Sequence, residues 1–453
     1  MPIEVELPRG NFQGHAKNST ASLLPDDELT KVGPGTPCGE YLRRYWHPFM
    51  LASELKDVPV AVRLLGEDLV VFRDRSGRLG LLHKHCAHRG TSLEFGIPQE
   101  RGIRCCYHGW HFDVDGTILD TPAEPPTSRI KANFAQGAYP VVDLHGLLFA
   151  YMGPSDAVPE IPVFDSFEWP RDNHLVAFKM DLPCNWLQIV ENGADPIHNA
   201  FLHAIVSGQQ FSPAFKVLPQ LDFPETPMGY LSMATRKVGD FVFVRASDMM
   251  LPNVGQFPNG MNMAQKESFG LRPYLTRWAV PLDDTHSLYV GFAHLNSYNS
   301  PDGQLRPEQF GENRIPFIGQ TADRPYEERQ REPGDYDAVV SQGPIANRKA
   351  EHLGTTDRGV VTSRRMITSA IASVQDGKTP AIPRVCKTGK VRTYAHETVV
   401  RVPSPDLLSD PQSLADFGRR AAMAYVETDH LPQEEREQEV ARRIRGLFVK
   451  EPS

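Results

Sequence analysis

The 453-residue sequence contains no apolar run of the length a bilayer-crossing helix needs, so no membrane partner is expected. Its opening stretch, MPIEVELPRGNFQGHAKNST, lacks the basic and then apolar layout of a secretory signal, and a cytoplasmic, reducing compartment is the expectation. An excess of positive charge is also missing. The 48 Lys and Arg stand against 56 Asp and Glu, a net charge of −8, which argues against nucleic acid or an anionic membrane surface as partner. Cysteine is scarce: six in the whole chain are too few and too scattered for a disulfide scaffold, and Cys38, Cys184 and Cys386 are isolated. There is no internal repeat, no Rossmann glycine fingerprint, no flavin motif and no second cluster of cysteines. A redox role for this chain would need electrons delivered by another protein.

What is present is the composition of a globular enzyme, 40% hydrophobic and 23% charged, long enough for two or three domains. Residues 58–83 read as short strands, PVAVRLLG and DLVVFRD, then a Ser76-Gly77 turn and LGLLH. The β reading continues through WHFDVDGTIL, with Asp115-Gly116 as a hairpin turn, and YPVVDLHGLLFAYMG. Proline-rich sequence after Pro154 closes that unit. From residue 174 the pattern mixes strands and helices: a helix over 184–206 with an internal Asp-Pro, and strands at 228–236, 241–247, 274–281 and 287–295. Residues 297–334 read as a long loop or lid, 335–374 as helix, 376–411 as irregular, and the end as charged helix. The class is α+β.

Three of the cysteines keep company with histidine. His85-Cys86-Ala87-His88-Arg89-Gly90 is followed by Cys105-Cys106-Tyr107-His108-Gly109-Trp110, that is C-x-H, sixteen residues, then C-x-x-H. Each knuckle supplies one thiolate and one imidazole. Two cysteines on one iron and two histidines on the other make the asymmetric ligation of a Rieske [2Fe–2S] cluster. The rival is a structural zinc site, but zinc fingers pair like with like, C-x-x-C and then H-x₃₋₅-H.

A second constellation, Glu191-Asn192-Gly193-Ala194-Asp195-Pro196-Ile197-His198 and on to His203, suits a mononuclear iron with two imidazoles and one carboxylate. His198 and His203 are five apart, about 140° around an ideal helix. They converge only if the helix is unwound or contains a π-type turn, and Asp195-Pro196 gives a reason for irregularity.

The two patterns together resemble the Rieske non-haem iron aromatic ring-hydroxylating oxygenases, in the phthalate-dioxygenase-like branch of their oxygenase (alpha) subunits. The cluster motif of that family, C-x-H-R-G then C-P-Y-H-G-W, is matched by Cys86, His88, Arg89, Gly90, Cys105, Tyr107, His108, Gly109 and Trp110, with Ala87 and Cys106 where proline is frequent. Cys105 rather than Cys106 keeps the two-residue gap to His108. The catalytic motif, [E/N]-N-x-x-D-P-x-H-x₄-H, is met at every fixed position. The likeness runs from Val32-Gly33-Pro34-Gly35-Thr36 to about residue 366. It implies an all-β Rieske domain (40–155), a helix-grip-like α/β catalytic domain with a mostly antiparallel sheet (156–375), an N-terminal segment (1–39) whose part 26–39 packs on the catalytic domain, and a C-terminal extension (376–453).

By that resemblance Cys86, His88, Cys105 and His108 hold the [2Fe–2S] cluster, and His198 and His203 hold the mononuclear Fe(II). Asp195 bridges the two centres. The third iron ligand is Asp335, eight residues before the Gly of Gly343-Pro344-Ile345, with Asp337 as the fallback. A ring of subunits, most simply a homotrimer, is implied, with His108 of one protomer facing Asp195 of the next. The electrons would come from a separate NAD(P)H-dependent reductase with flavin and a ferredoxin centre. O₂ and a small aromatic, carboxylated compound would be the substrates, for ring hydroxylation or oxidative O- or N-demethylation. Arg245, alternating with Phe241 and Phe243 on a predicted strand, and Asn192 are the candidate substrate contacts. A Rieske electron-transfer protein without oxygenase activity is the competing reading, and it leaves some 300 residues without a role.

Overall fold

The apolar alternation of residues 58–83 becomes an antiparallel meander, Val60–Leu64, Glu67–Arg73 and Leu79–His83, joined at its edge by Ala138–Tyr139. The structure, a computed structural model, describes residues 27–206, 210–380, 389–404 and 406–448, so Cys386 and the first 26 residues lie outside it. A second sheet of four short strands (Ile97–Pro98, Ile103–Arg104, His111–Phe112, Ile118–Asp120) includes the expected Asp115-Gly116 hairpin, with Gly116 at φ 84°. Val70, Phe72, Leu82, Leu93, Ile103, Trp110 and Phe112 form a core between the two, and Cys86 and Cys105 belong to it. A third sheet, Trp46–Leu51 with Leu147–Tyr151 and Val141–Leu144, is buried along its first two strands. It packs outward on the rest of the molecule, Phe149 meeting Trp278 edge to face at 5.4 Å.

The remaining chain is built on a nine-stranded sheet with the path His174–Leu182, Ser287–Leu295, Pro273–Pro281, Val254–Pro258, Phe241–Met250, Gly229–Val238, Gln220–Asp222. Every ladder in it is antiparallel. Because successive side chains alternate, Tyr230, Ser232, Arg245, Ser247, Met249, Arg277 and Tyr289 share one face. Leu231, Met233, Val242, Val244 and Ala246 share the other. The first face receives the helix Trp186–Ala194, begun by the Asn185 side chain accepting from Leu187 N–H. The second is covered by the helices Pro411–Glu427 and Gln433–Gly446, whose Leu414, Phe417, Ala421, Tyr425, Val440 and Ile444 complete a separate core.

Two sequence expectations are corrected. The helix expected over 335–374 is two helices, Asp335–Val340 and Arg358–Gln375. Gly343 at φ 96°, followed by Pro344, cannot continue a helix, and the intervening segment docks along Trp186–Ala194 instead. Residues 376–411, expected to be irregular, contain the strand His396–Arg401, paired with Phe241–Met250 in the interior of the sheet. All but its last residue is buried, so the alternation that marks a half-exposed strand is absent from HETVVR.

Candidate metal centres

The two cysteine–histidine knuckles are the same turn built twice. Cys86 C=O accepts from Gly90 N–H (2.9 Å), and Cys105 C=O accepts from Gly109 N–H (3.1 Å). Both glycines have φ 75°, the left-handed region that a side chain disfavours. The turns bring like with like. Cys86 and Cys105 are buried neighbours, while the rings of His88 and His108 lie 4.6 Å apart, edge to face. Cys106 is exposed. Trp110 stacks on His88 at 4.6 Å and 6°, and the amide of buried Gln136 ties Ala87 N–H to the His83 and His85 carbonyls. Burial pushes the Cys86 thiol up to about 11, while the backbone N–H groups of His88 and Arg89 work in the other direction. The Nδ1 of His88 is buried without a hydrogen-bond partner, as expected of an atom reserved for a metal. Gly109→Ala should cost about 1–2 kcal/mol from its dihedral alone, plus a contact 3.1 Å from Pro122. Gly90 opens on free space, so Gly90→Ala should cost less. Thermal melts of both variants, followed at a visible cluster band, check the order.

The second centre depends on a helix that fails to continue. Trp186–Ala194 ends at Asp195, whose carboxylate accepts from Ile197 N–H across Pro196 (2.8 Å). A short turn, His198–Ala200, leads into a π-helix, Phe201–Val206. Either irregularity would let His198 and His203 converge, and both are present. The two rings are 5.3 Å apart, and Nε2 of each points at Asp335 Oδ1, 3.6 Å from His198 and 3.3 Å from His203. One ligand atom from each of the three residues lies within 4.8 Å of the others, a fit for a single ion. The histidines are oriented from behind. His203 Nδ1 donates to Gln210 Oε1 at 2.9 Å, leaving Nε2 unprotonated for a metal. His198 Nδ1, without a hydrogen-bond partner, faces Asp195 Oδ2 at 3.8 Å. Burial lowers the pKa of His198, keeping it neutral as ligation demands; for His203 burial is overcome by Asp335 and Gln210, and its pKa is raised. Despite its burial, Asp335 is held well below the carboxylate range by the histidines and Gln320.

Asp335 reaches the histidines because its segment is anchored to the helix that precedes them. Gln188 donates to the Val339 and Gly343 carbonyls and accepts from Ala346 N–H, and Arg348 grips Glu191 at 2.9 and 3.0 Å. Asn192 donates to Asp335 Oδ1 (3.0 Å) and Gln320 to Oδ2 (2.6 Å). Asp337 instead meets Arg329 (2.6 Å) and Gly334 N–H, away from the histidines.

A cavity of about 80 Å³ opens beside His198, His203 and Asp335, walled by Phe211, Phe257, Leu275, Tyr289, Ile315 and Phe317. Phe317 and Tyr274 separate it from an outer chamber of about 660 Å³. Asn192 and Arg245 both line the inner cavity, but the guanidinium of Arg245 is spent on Pro258 C=O (2.9 Å) and Ser247 Oγ (3.3 Å), with Glu397 at 3.7 Å. Phe243 is turned into the core with Phe215. Gln210, Gln320 and Arg277 were not singled out from the sequence; no motif marks them, and only the fold brings them to the site.

The profile describing the Rieske [2Fe-2S] domain matches residues 45–138. The chain is 43% identical to the tert-butanol monooxygenase / tert-amyl alcohol desaturase oxygenase subunit of Aquincola tertiaricarbonis, over 96% of this chain and 95% of that protein. It is 38% identical to the phenoxybenzoate dioxygenase subunit alpha of Ectopseudomonas oleovorans, over 79% and 87%. Among solved structures, the NdmA QL mutant of Pseudomonas putida CBB5 with theobromine superposes with a TM-score of 0.55 at 21% identity, over 76% of this chain and 95% of that one, a likeness of fold alone.

Proposed function

The chain belongs to the Rieske non-haem iron oxygenases as an oxygenase subunit, and from that premise we propose that it oxidises a small organic acid at His198, His203 and Asp335. Its cofactors are a [2Fe–2S] Rieske cluster and a mononuclear iron, and it is the terminal component of a multicomponent system served by a separate electron-transfer protein. No helix among the described residues is long and apolar enough to cross a membrane.

The observation that carries the proposal is a three-residue ligand set, within 4.8 Å, opening directly onto a cavity with an aromatic and aliphatic wall and two arginines. Two histidines and one carboxylate leave coordination positions free for O₂. When bound, the metals supply one-electron storage and O₂ activation. Cys86 and Cys105 would hold one iron of the cluster, and His88 and His108 the other. Gln210 keeps His203 in the ligating tautomer, Asn192 and Gln320 hold Asp335, and the aromatic wall excludes water. Asp195 lies in an open depression with Glu191, His352 and Leu353, a surface to which a neighbouring protomer's His108 would come, as in a homotrimer. The donor would be an NAD(P)H-dependent reductase with flavin and a ferredoxin centre.

Substrate size follows from the cavity. A 150 Å³ apolar cavity is known to admit benzene, so an inner chamber of about 80 Å³ takes a ring only if Phe317 swings toward the outer one. Relatives acting on tert-butanol and on phenoxybenzoate bracket the range. Phe317→Ala should lower KM for two-ring substrates by about tenfold relative to single-ring ones, on the order of 1–2 kcal/mol of relieved overpacking. KM measured across a size series checks it.

The proposal is tested by metal analysis and turnover. Three irons per chain, with O₂ uptake from a donor reductase and a panel of aromatic acids, supports it; formaldehyde release would mark demethylation and a cis-diol dioxygenation. Two irons per chain and no O₂ uptake with any member would leave an electron carrier.

A further inference from the structure

Arg277 stands on the strand Pro273–Pro281, facing the cavity, with glycine directly opposite on both neighbouring strands: Gly255 on one side and Gly291 on the other. A third glycine, Gly193 of the Glu191-to-His198 motif, approaches from the helix above; a Cβ there would lie 3.2 Å from Arg277 Nη2 and 3.0 Å from Phe257. The three missing side chains leave a slot, and the guanidinium fills it between Phe257 and Tyr289, at 4.0 and 4.1 Å from the ring centroids.

Rings on both faces fix the guanidinium plane and leave its edge as the direction for hydrogen bonds. Yet among the described residues no carboxylate or carbonyl receives one. Arg245 on the same face differs, since its guanidinium already donates to Pro258 C=O and Ser247 Oγ. Charges shielded from bulk water are ordinarily paired, and Arg277 is partly buried and lines the cavity. The charged residues lining this cavity are Arg245, Arg277 and Asp335. Asp335 belongs to the metal ligand set, so a bound Fe(II) would leave the cavity with an excess of positive charge.

We infer that Arg277 anchors the substrate and that the group it holds is a carboxylate, received edge-on by the guanidinium; this rests on the oxygenase reading above. The carboxylate end would sit in the Phe257–Tyr289 slot, and the rest of the molecule would lie along Leu275, Phe211 and Phe317, beside the three metal-binding side chains. A neutral hydroxyl, as in a tertiary alcohol, would leave the guanidinium without a hydrogen-bonded counter-charge.

The test is equilibrium binding to the holoprotein, without reductase, by calorimetry with benzoate, benzamide and tert-butanol. Benzoate should bind at least about tenfold more tightly than either neutral compound. Arg277→Gln should weaken benzoate about 100-fold, and Arg277→Lys, which keeps the charge without the planar fork, about tenfold. The visible spectrum of the cluster together with three irons per chain reports that each variant has folded and kept both centres. Arg245→Gln, at a guanidinium already engaged, should weaken benzoate less than Arg277→Gln. Equal affinity for benzoate and benzamide, benzoate that fails to bind the parent protein, or benzoate indifferent to Arg277→Gln would each overturn the inference. Protein that binds benzoate through Arg277 but never consumes O₂ keeps the anchor and removes the oxygenase reading; an active oxygenase indifferent to carboxylates does the reverse.

Discussion

His198→Ala should abolish turnover while leaving the protein folded and the [2Fe–2S] spectrum intact. The imidazole contributes one of only three side-chain ligand atoms within 4.8 Å of each other, and alanine leaves His203 and Asp335 to hold a metal in a site that needs three. The loss should be confined to the mononuclear centre. Cys86, Cys105, Trp110 and Phe112 share a core with Val70, Phe72 and Leu82, in which neither His198 nor any neighbour of it takes part. Iron analysis should fall from three per chain to two, with O₂ uptake at background. Stability should change little, because removing this partly buried imidazole also removes a buried, unpartnered Nδ1. Retention of the third iron at full occupancy would show that the ion sits elsewhere.

Asp195→Asn is the sharper test, since it should keep both metals and still slow turnover by about 100-fold, at the upper end of what a ligand-supporting residue contributes. Asparagine preserves the shape of the turn: its side-chain carbonyl can still accept from Ile197 N–H, so the break between the helix and His198 should survive. What disappears is the charge facing His198 Nδ1. The measurement is single turnover of reduced protein, watching the cluster reoxidise on addition of O₂ and substrate. A normal reoxidation rate would rule out Asp195 as the link, whereas lost iron would make it a metal-site residue.

The local motifs explain why so much of the site was legible. Each Rieske knuckle is five or six residues with its own turn glycine, so the candidate ligands and the turn geometry are both encoded within one loop. The 191–203 segment carries its own helix breaker, and the demand for an unwound or π-type turn came from spacing alone. Asp335 was reached through resemblance, because nothing in its neighbourhood distinguishes it from Asp337. The structure separates them by direction: Asp335 faces Asn192 and the histidines, and Asp337 faces Arg329.

Arg245 and Arg277 show where such reading stops. Both sit on strands, both face the cavity, and both neighbour aromatic residues, so period and composition rank them alike. They differ in what lies across the sheet. Arg245 is opposite Glu397, 152 positions away on a strand that the sequence did not reveal, and Arg277 is opposite two glycines.

The sequence by itself therefore carried the candidate ligand types, their spacing, the α+β class and the need for an outside source of electrons, because each is a matter of composition or of residues within about two dozen positions. Tertiary structure alone decided how large the cavity is, what divides it from the outer chamber, and which arginine is left without a hydrogen-bonded carboxylate or carbonyl. Those are properties of side chains that meet only after the strands have paired, and pairing between distant segments leaves no local trace to read.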